Sequence, residues 1–499
     1  MPKTARFKEI ERKFDVLDST VSPSFDGLAA VSRVEHAPTE SLDATYFDTA
    51  GHDLARHKVT LRRRTGGTDA GWHLKLPAGP DTRTEVRLPL GDDDESVPTE
   101  LVDVVLAIVR DRPLAPVARI TTTREIKVLY GSDDARLAEF CDDRVTAWSI
   151  GADGTGTEQQ WREWELELLR DAEDGAAGDI LDRISNRLFD AGAQPAGTGS
   201  KLARVLATDT VAAEQPTFAD PVHAAVAEQV GQLLEWDRAV RADTYDSVHQ
   251  MRVTTRKLRS LLKESEESFG LTDDAWVLDE LRQLAAVLGG ARDAEVLAEK
   301  YQTALDALPA ELVRGPVRER LVDGARRRYD LGLRRSLAAM RTARYFRLLD
   351  ALEELVAVAP APAQPGAEAP TVTIDAAYKR VRKAVKTARA AEAELADDRD
   401  EALHRIRKGA KRLRYTAAAT GADKVSNAAK TIQTLLGDHQ DAVVSRTHLA
   451  QQSEVAYAAG EDTFTYGVLY QQEDDLAHTS RAKLEEALAA LAKAVRKAR

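Results

Sequence analysis

The sequence predicts an α+β multidomain protein: an N-terminal antiparallel β tunnel or barrel of about eight strands with flanking helices, then an all-α domain of two duplicated helical bundles. Three observations predict it. Short runs up to about residue 205 alternate charged with apolar side chains, the period-2 signature of strands. From Pro221 the apolar period becomes helical and stays so. Within that helical part, two sets of motifs recur in the same order.

Size and charge narrow the function classes. A chain of 499 residues, 43% hydrophobic and 30% charged, is long enough for two or three packed domains. A net charge of −12 argues against a general binder of nucleic acid or anionic membrane, so any anion site must be a local cluster of bases. One cysteine, Cys141, leaves no intramolecular disulfide and fits a reducing compartment. With no apolar run of membrane-spanning length, the expected location is cytoplasmic, with no membrane partner.

Strand-like runs fall at 7–17, 41–47, 59–64, 71–76, 82–88, 119–129, 136–141 and 161–169, separated by turn-rich pieces such as Arg64-Thr-Gly-Gly-Thr-Asp69. Helical stretches are expected near 100–110 and 180–191, and a linker over 207–221. A Pro-, Ala- and Gly-rich connector at 356–370 divides the helical part. The expected domains are therefore 1–206 and 219–499, the second in halves 219–355 and 371–499.

The strand runs carry Glu9, Glu11 and Lys13; Arg62 and Arg64; Lys75; Arg83, Glu85 and Arg87; Arg119 and Arg124; Glu139 with Asp142 or Asp143; and Glu163, Glu165 and Glu167. One strand of this kind is ordinarily half-wet. Eight such strands suffice to close a barrel. If the apolar residues pack outward, the charges line a cavity, where each unpaired one would cost several kcal/mol without a counter-ion or ligand. Carboxylates there suit Mg2+ or Mn2+, and Arg and Lys suit phosphate oxygens.

Glu9-Ile-Glu-Arg-Lys13 matches the ExExK signature of the CYTH family, the triphosphate tunnel metalloenzymes, and the N-terminal part resembles that family. Tyr46-Phe-Asp-Thr49, Leu61-Arg-x-Arg64, Leu74-Lys75, Arg83-x-Glu85, Glu163-x-Glu-x-Glu167 and Ser200-Lys201-x-x-Arg204 follow in the family's order. The resemblance implies an eight-stranded tunnel that acts on triphosphates with a divalent metal. It implies metal ligation by Glu9, Glu11, Glu163, Glu165, Glu167 and Asp142 or Asp143, parity with Glu139 favouring Asp143. It implies triphosphate binding by Lys13, Arg62, Arg64, Lys75, Arg83, Arg124, Lys201 and Arg204, with Glu9, Glu11, Lys13 and Glu85 as the catalytic set.

In the helical half, His249, Arg252, Arg256 and Arg259 share one helix face, and His404, Arg407, Lys411 and Arg414 repeat it. Lys257, Lys408 and Arg412 flank these stripes. Leu288-Gly289 with Asp293 recurs as Leu436-Gly437 with Asp441. A charged stripe is ordinarily a solvated face, and its duplication weighs against that reading. This half resembles the CHAD family, α-helical domains with conserved histidines, which implies binding of inorganic polyphosphate along a basic groove. Polyphosphate has charge but no bases to read, so a row of cations is sufficient.

The expected function is hydrolysis of a terminal phosphoanhydride, inorganic triphosphate being the leading substrate, coupled to a module that binds polyphosphate and its granules. The alternatives are a non-catalytic polyphosphate receptor, or a tunnel acting on nucleoside or thiamine triphosphate or as an adenylate cyclase. No Gly-rich phosphate loop or Ser-His-Asp arrangement competes.

Overall fold

The computed structural model describes residues 5–498 except 80, 92–95, 152–155, 170–173, 208–220, 265–268, 272–275, 358–373, 394–398 and 420. Most of the expected linker at 207–221 and of the connector at 356–370 lies outside the described residues. The chain forms two compact units: Met1–Ala285 with Leu337–Pro360, and Ala286–Ser336 with Ala361–Arg499.

In the first unit, β1 (Ala5–Val16), β3 (Glu40–Asp48), β4 (Thr60–Thr65), β5 (Gly71–Pro77), β6 (Thr82–Leu88), β7 (Ala115–Tyr130), β8 (Arg136–Ser149) and β9 (Glu158–Leu168) form an antiparallel sheet in the order β1-β6-β5-β4-β3-β7-β8-β9. Pairing of β9 with β1 closes it into a barrel. Two short strands the sequence reading did not anticipate, β2 (Arg33–His36) and β10 (Gln194–Pro195), pair with β7 and β1. β8 runs eight residues past its expected end at Cys141.

The apolar sides of these strands face outward, as helices cover them. Trp72, Leu74, Val86 and Leu88 pack on Leu101, Val105 and Ile108 of α2 (Thr99–Val109), following α1 (Asp53–Arg56). Phe14, Phe140, Trp164 and Leu166 pack on Leu181, Ile184 and Leu188 of α3 (Asp174–Asp190). Leu202 and Val205 of α4 (Lys201–Leu206) join Ala44, Val117 and Ala147. With the apolar half of each strand used outside, period-2 alternation leaves the charged half for the interior.

The same unit holds α5 (Pro221–Arg241), α6 (Ser247–Glu264) and α9 (Ala343–Ala357). Next in the chain are α7 (Trp276–Ala307) and α8 (Gly324–Ala339), and after them α10 (Ile374–Ala393), α11 (Arg399–Ala419), α12 (Asp423–Ala458) and α13 (Phe464–Ala498). In the second unit α10 to α13 enclose one core: Val381, Ile406, Leu413, Ile432, Leu436, Leu484 and Leu491. No helix among the described residues is long and apolar enough to cross a membrane.

Candidate metal and phosphate site in the tunnel

Register sorts the interior into rows of opposite sign. In β1, β9 and β8, Glu11 faces Glu167 and Glu167 faces Glu139, giving an acidic row across three strands. On the other side, Tyr46 faces Arg62, Arg62 faces His73 and His73 faces Arg87, giving a row with two guanidiniums across β3 to β6. A cavity of about 600 Å³ lies between them, lined by Glu9, Glu11, Lys13, Tyr46, Arg62, Arg64, Lys75, Arg83, Arg87, Arg124, Glu139, Glu165, Glu167 and Lys201 among others.

One cluster inside is already neutralised. Asp143, Glu163 and Glu165 bring carboxylate oxygens within 4.8 Å of one another, an arrangement able to hold a metal ion. Lys201 Nζ, however, lies 2.8, 2.7 and 2.8 Å from these three residues in turn. Arg124 donates to Asp143 at 2.6 Å and to Glu165 at 2.5 Å, and Lys13 to Glu165 at 2.5 Å. Burial opposes charge on Glu165, but Lys13, Lys201 and Arg124 hold its carboxyl well below the usual range.

Charge is unmet at two other places. Glu167 is pushed up to about 7, first by burial and then by Glu9, Glu11 and Glu139, with only Lys75 opposing. Lys75, Arg87 and Lys13 pair with Glu9 and Glu11, but no cation pairs with Glu139 or Glu167 among the described residues, so the four together offer the oxygen donors a hard divalent cation takes. Lys75 Nζ sits 2.6 Å from Glu9 and 3.8 Å from Glu11. Burial would raise Glu11 too, but Lys13 and Lys75 draw it to about 2.

The positive counterpart is Arg62 and Arg64. Burial, Arg62 and Arg124 depress the Arg64 guanidinium to about 9, although it pairs with Asp69. Burial would raise the Tyr46 phenol, yet Arg62, Lys201 and Arg64 pull it down. Arg62 has only the Tyr46 hydroxyl, 3.3 Å away, as a hydrogen-bond acceptor among the described residues. Arg62 and Arg64, with this little compensation, form an anion site beside Arg124, which already rests on Asp143 and Glu165.

Several sequence-derived candidates fall elsewhere. Asp142 is corrected: it has the opposite strand parity to Asp143 and is held by Arg162 at 2.6–2.7 Å, away from the Asp143 group. Arg119, five residues before Arg124 and therefore on the other face, is exposed and pairs with Asp43 at 2.5 Å. Arg204 pairs with Asp15 at 2.7 Å, lies over the Trp161 ring, and is not among the cavity-lining residues. Glu85 is fully buried behind the lining, between Arg87 and His73 Nδ1, the latter at 2.9 Å. Arg83 lines the cavity and donates to the Thr82 carbonyl at 3.2 Å.

His73 was missed, although it shares strand parity with Lys75. Its Nε2 lies 2.9 Å from the Asp69 carbonyl, so both ring nitrogens face acceptors. Burial and the nearby Arg62 and Arg64 hold it down at about 4, against the pull of Glu85.

In the first unit, α6 buries Val248, Met251, Leu258 and Leu262 and leaves Arg256 and Lys257 exposed, with His249, Arg252 and Arg259 half-buried. In the second, α11 buries Ile406, Ala410, Leu413 and Ala417 and presents His404, Lys408 and Arg412, with Arg407, Lys411 and Arg414 half-buried. The repeated Leu-Gly pair has a packing reason in the second copy. A Cβ at Gly437 would stand 3.1 Å from Arg407 Nη2, so the glycine makes room for that guanidinium.

A closed antiparallel tunnel with a charged interior, followed by helices bearing a repeated basic stripe, defines a two-part protein. A CYTH domain model matches residues 8–184 and a CHAD domain model residues 224–450. A Mycobacterium tuberculosis protein described as uncharacterized, from strains CDC 1551 / Oshkosh and ATCC 25618 / H37Rv, is 67% identical over 511 residues, spanning 100% of this chain and 99% of its own. The chain belongs to the proteins that join a CYTH domain to a CHAD domain. Among solved structures, the CHAD domain of the plant Ricinus communis is 24% identical, covering 54% of this chain and 91% of its own, with a TM-score of 0.39. An adenylyl cyclase candidate from Hippeastrum described as having a dominant triphosphatase activity is 18% identical, covering 40% and 95%, with a TM-score of 0.26.

Proposed function

We propose that the tunnel hydrolyses a terminal phosphoanhydride of inorganic triphosphate with Mg2+ or Mn2+, and that the helical half binds inorganic polyphosphate. The observation that carries this reading is the pair of incompletely balanced poles, Glu139 and Glu167 beside the paired Glu9 and Glu11, against Arg62 and Arg64. A polyanion with a bound divalent cation complements both at once.

In this reading Glu9, Glu11 and Glu167 hold the metal, joined by Glu165. The metal, when bound, neutralises phosphate oxygens and favours attack by water. Arg62, Arg64, Arg124 and Lys201 bind and orient the phosphates, so the bond to be broken is held in line with the attacking oxygen. Lys13 and Lys75, each bonded to carboxylates of the acidic side, hold those carboxylates in place and supply positive charge to the transferring group. Glu85 fixes Arg87 and, with it, Glu9, to which Arg87 donates at 3.1 Å.

The two basic stripes, on α6 and α11, serve the polymer. Their binding should weaken steeply with salt, as for any ligand held by phosphate charge. Phosphate release from tripolyphosphate with Mg2+ or Mn2+, comparing wild type with Glu11→Ala, tests the hydrolase. Metal-dependent turnover lost in the variant is expected, and no turnover in either protein would leave a polyphosphate receptor.

A further inference from the structure

The turn after β3 is fixed from two sides. Buried Asp48 accepts backbone N–H bonds from Thr49 at 2.7 Å, Leu54 at 2.9 Å and Ala55 at 3.0 Å, which ties α1 to the end of β3. His52 and Lys58, at either end of this turn, have φ of 54° and 57°. From the helical side, Asp350 and Glu353 of α9 lie one turn apart on one face. Arg110 donates to both, His57 Nε2 lies 3.2 Å from Glu353, and Arg112 reaches from Asp350 at 3.8 Å to Asp53 of α1 at 3.0 Å. His57 Nδ1 is 2.8 Å from the Asp53 carbonyl, so the imidazole bridges α1 and α9.

Arg110 carries a cost for this contact. Its backbone, at φ 61° and ψ −122°, is one that a side-chain-bearing residue rarely adopts. Its side chain is only 3% exposed, with two carboxylates on it. A separate pair of contacts lies on α2: Asp103 accepts from Arg241 of α5 at 3.2 Å and from Arg341 at 2.7 Å.

The clamped turn is also a wall of the tunnel. Ala55, Lys58, Val59 and Thr60 line the main cavity, and Thr60 faces Lys75 across β4 and β5. Lys58 differs from the other lining lysines. Lys13, Lys75 and Lys201 each rest on carboxylates, whereas the exposed Lys58 ammonium has no partner among the described residues. It precedes Arg62 by four residues, at most about 14 Å of chain. A cation placed there lies outside the set that would grip three phosphates and within reach of a fourth.

We propose that Lys58 is a rim subsite for phosphate units beyond the third, and that Asp350 and Glu353 position it through Arg112 and His57. The inference rests on the tunnel being the phosphate site and names the substrate class it would select: linear inorganic phosphates of four or more units. Lys58 would touch substrate; the four clamp residues act through it.

The test uses the full chain. Turnover of linear tetraphosphate and of tripolyphosphate is measured with Mg2+ or Mn2+, and the ratio of the two kcat/KM values is compared among variants. Lys58→Ala should lower the tetra-to-tri ratio about tenfold, and Lys58→Arg should restore most of it. The double variant Asp350→Asn with Glu353→Gln should lower the same ratio in wild type and add nothing in Lys58→Ala, a non-additivity that a merely destabilised fold would not produce. An unchanged ratio in Lys58→Ala overturns the subsite, and an additive double variant overturns the positioning. If wild type cleaves neither phosphate, the hydrolase reading fails on its own. The same ratio is then taken from calorimetric affinities, where the difference between wild type and Lys58→Ala isolates the tunnel from the helical stripes.

Discussion

Glu167 gives the most direct residue-scale check, because its carboxyl sits at about 7 where 4.5 is ordinary. Between those values the folded protein keeps a proton that the unfolded chain has released. Stability of the metal-free protein should therefore fall as pH rises from about 4.5 to 7, by up to about 3 kcal/mol, and then level off. Glu167→Gln should remove that slope and make the chelated protein more stable at pH 8, as urea unfolding at pH 5 and 8 would show. Lys201 makes the opposite case. It bonds Asp143, Glu163 and Glu165 together, so Lys201→Met should strand buried carboxylates and cost about 3–5 kcal/mol, read as a lower urea midpoint. An unchanged midpoint would mean that Arg124 and Lys13 suffice.

Among elements, β8 shows what local sequence conceals. The expected run ends at Cys141, and of Asp142 and Asp143 just beyond it only one is expected to face the interior. In the fold the pair continues the strand, because Asp142 and Asp143 point to opposite faces and each meets its own arginine, Arg162 and Arg124. β2, β10, α1 and α4 were missed for a different reason: segments of two to six residues carry too little periodicity to register. The glycines at element ends offer a sharper test. At Gly66, φ is 77° and an added Cβ would lie 2.1 Å from the Ser41 carbonyl, so Gly66→Ala should destabilise the β4–β5 hairpin by about 1–3 kcal/mol in thermal unfolding. Gly437→Ala crowds only the end of the Arg407 side chain. It should weaken polyphosphate binding several-fold while shifting the melting point little, as calorimetry and a thermal scan would record.

For the whole molecule, the expected separation of roles is that chelation abolishes phosphate release and leaves polyphosphate binding intact. Replacing His249 and Arg252 together with His404 and Arg407 by alanine should do the reverse: polymer affinity and its salt dependence drop, and tripolyphosphate turnover persists. Loss of both activities in either experiment would contradict two separate phosphate sites. The clamp between α9 and the α1 turn adds one expected exception, confined to longer phosphates.

The alternation of charged and apolar residues determined which side chains share a face of each strand, since face follows from parity alone, and the CYTH resemblance supplied the expectation that the sheet closes with its ions inward. Helical period likewise determined that the chain after Pro221 is helical, whereas the compact units, which group residues 221–285 and 337–360 with the tunnel, were not legible in it. Sequence could not decide which charges cancel and which remain. That balance depends on which strands become neighbours: Lys201 arrives at Asp143 from a distant helix, whereas Glu167 meets only Glu11 and Glu139 on its adjoining strands. Coulomb energy is set by distance in space, and only the closed barrel fixes those distances.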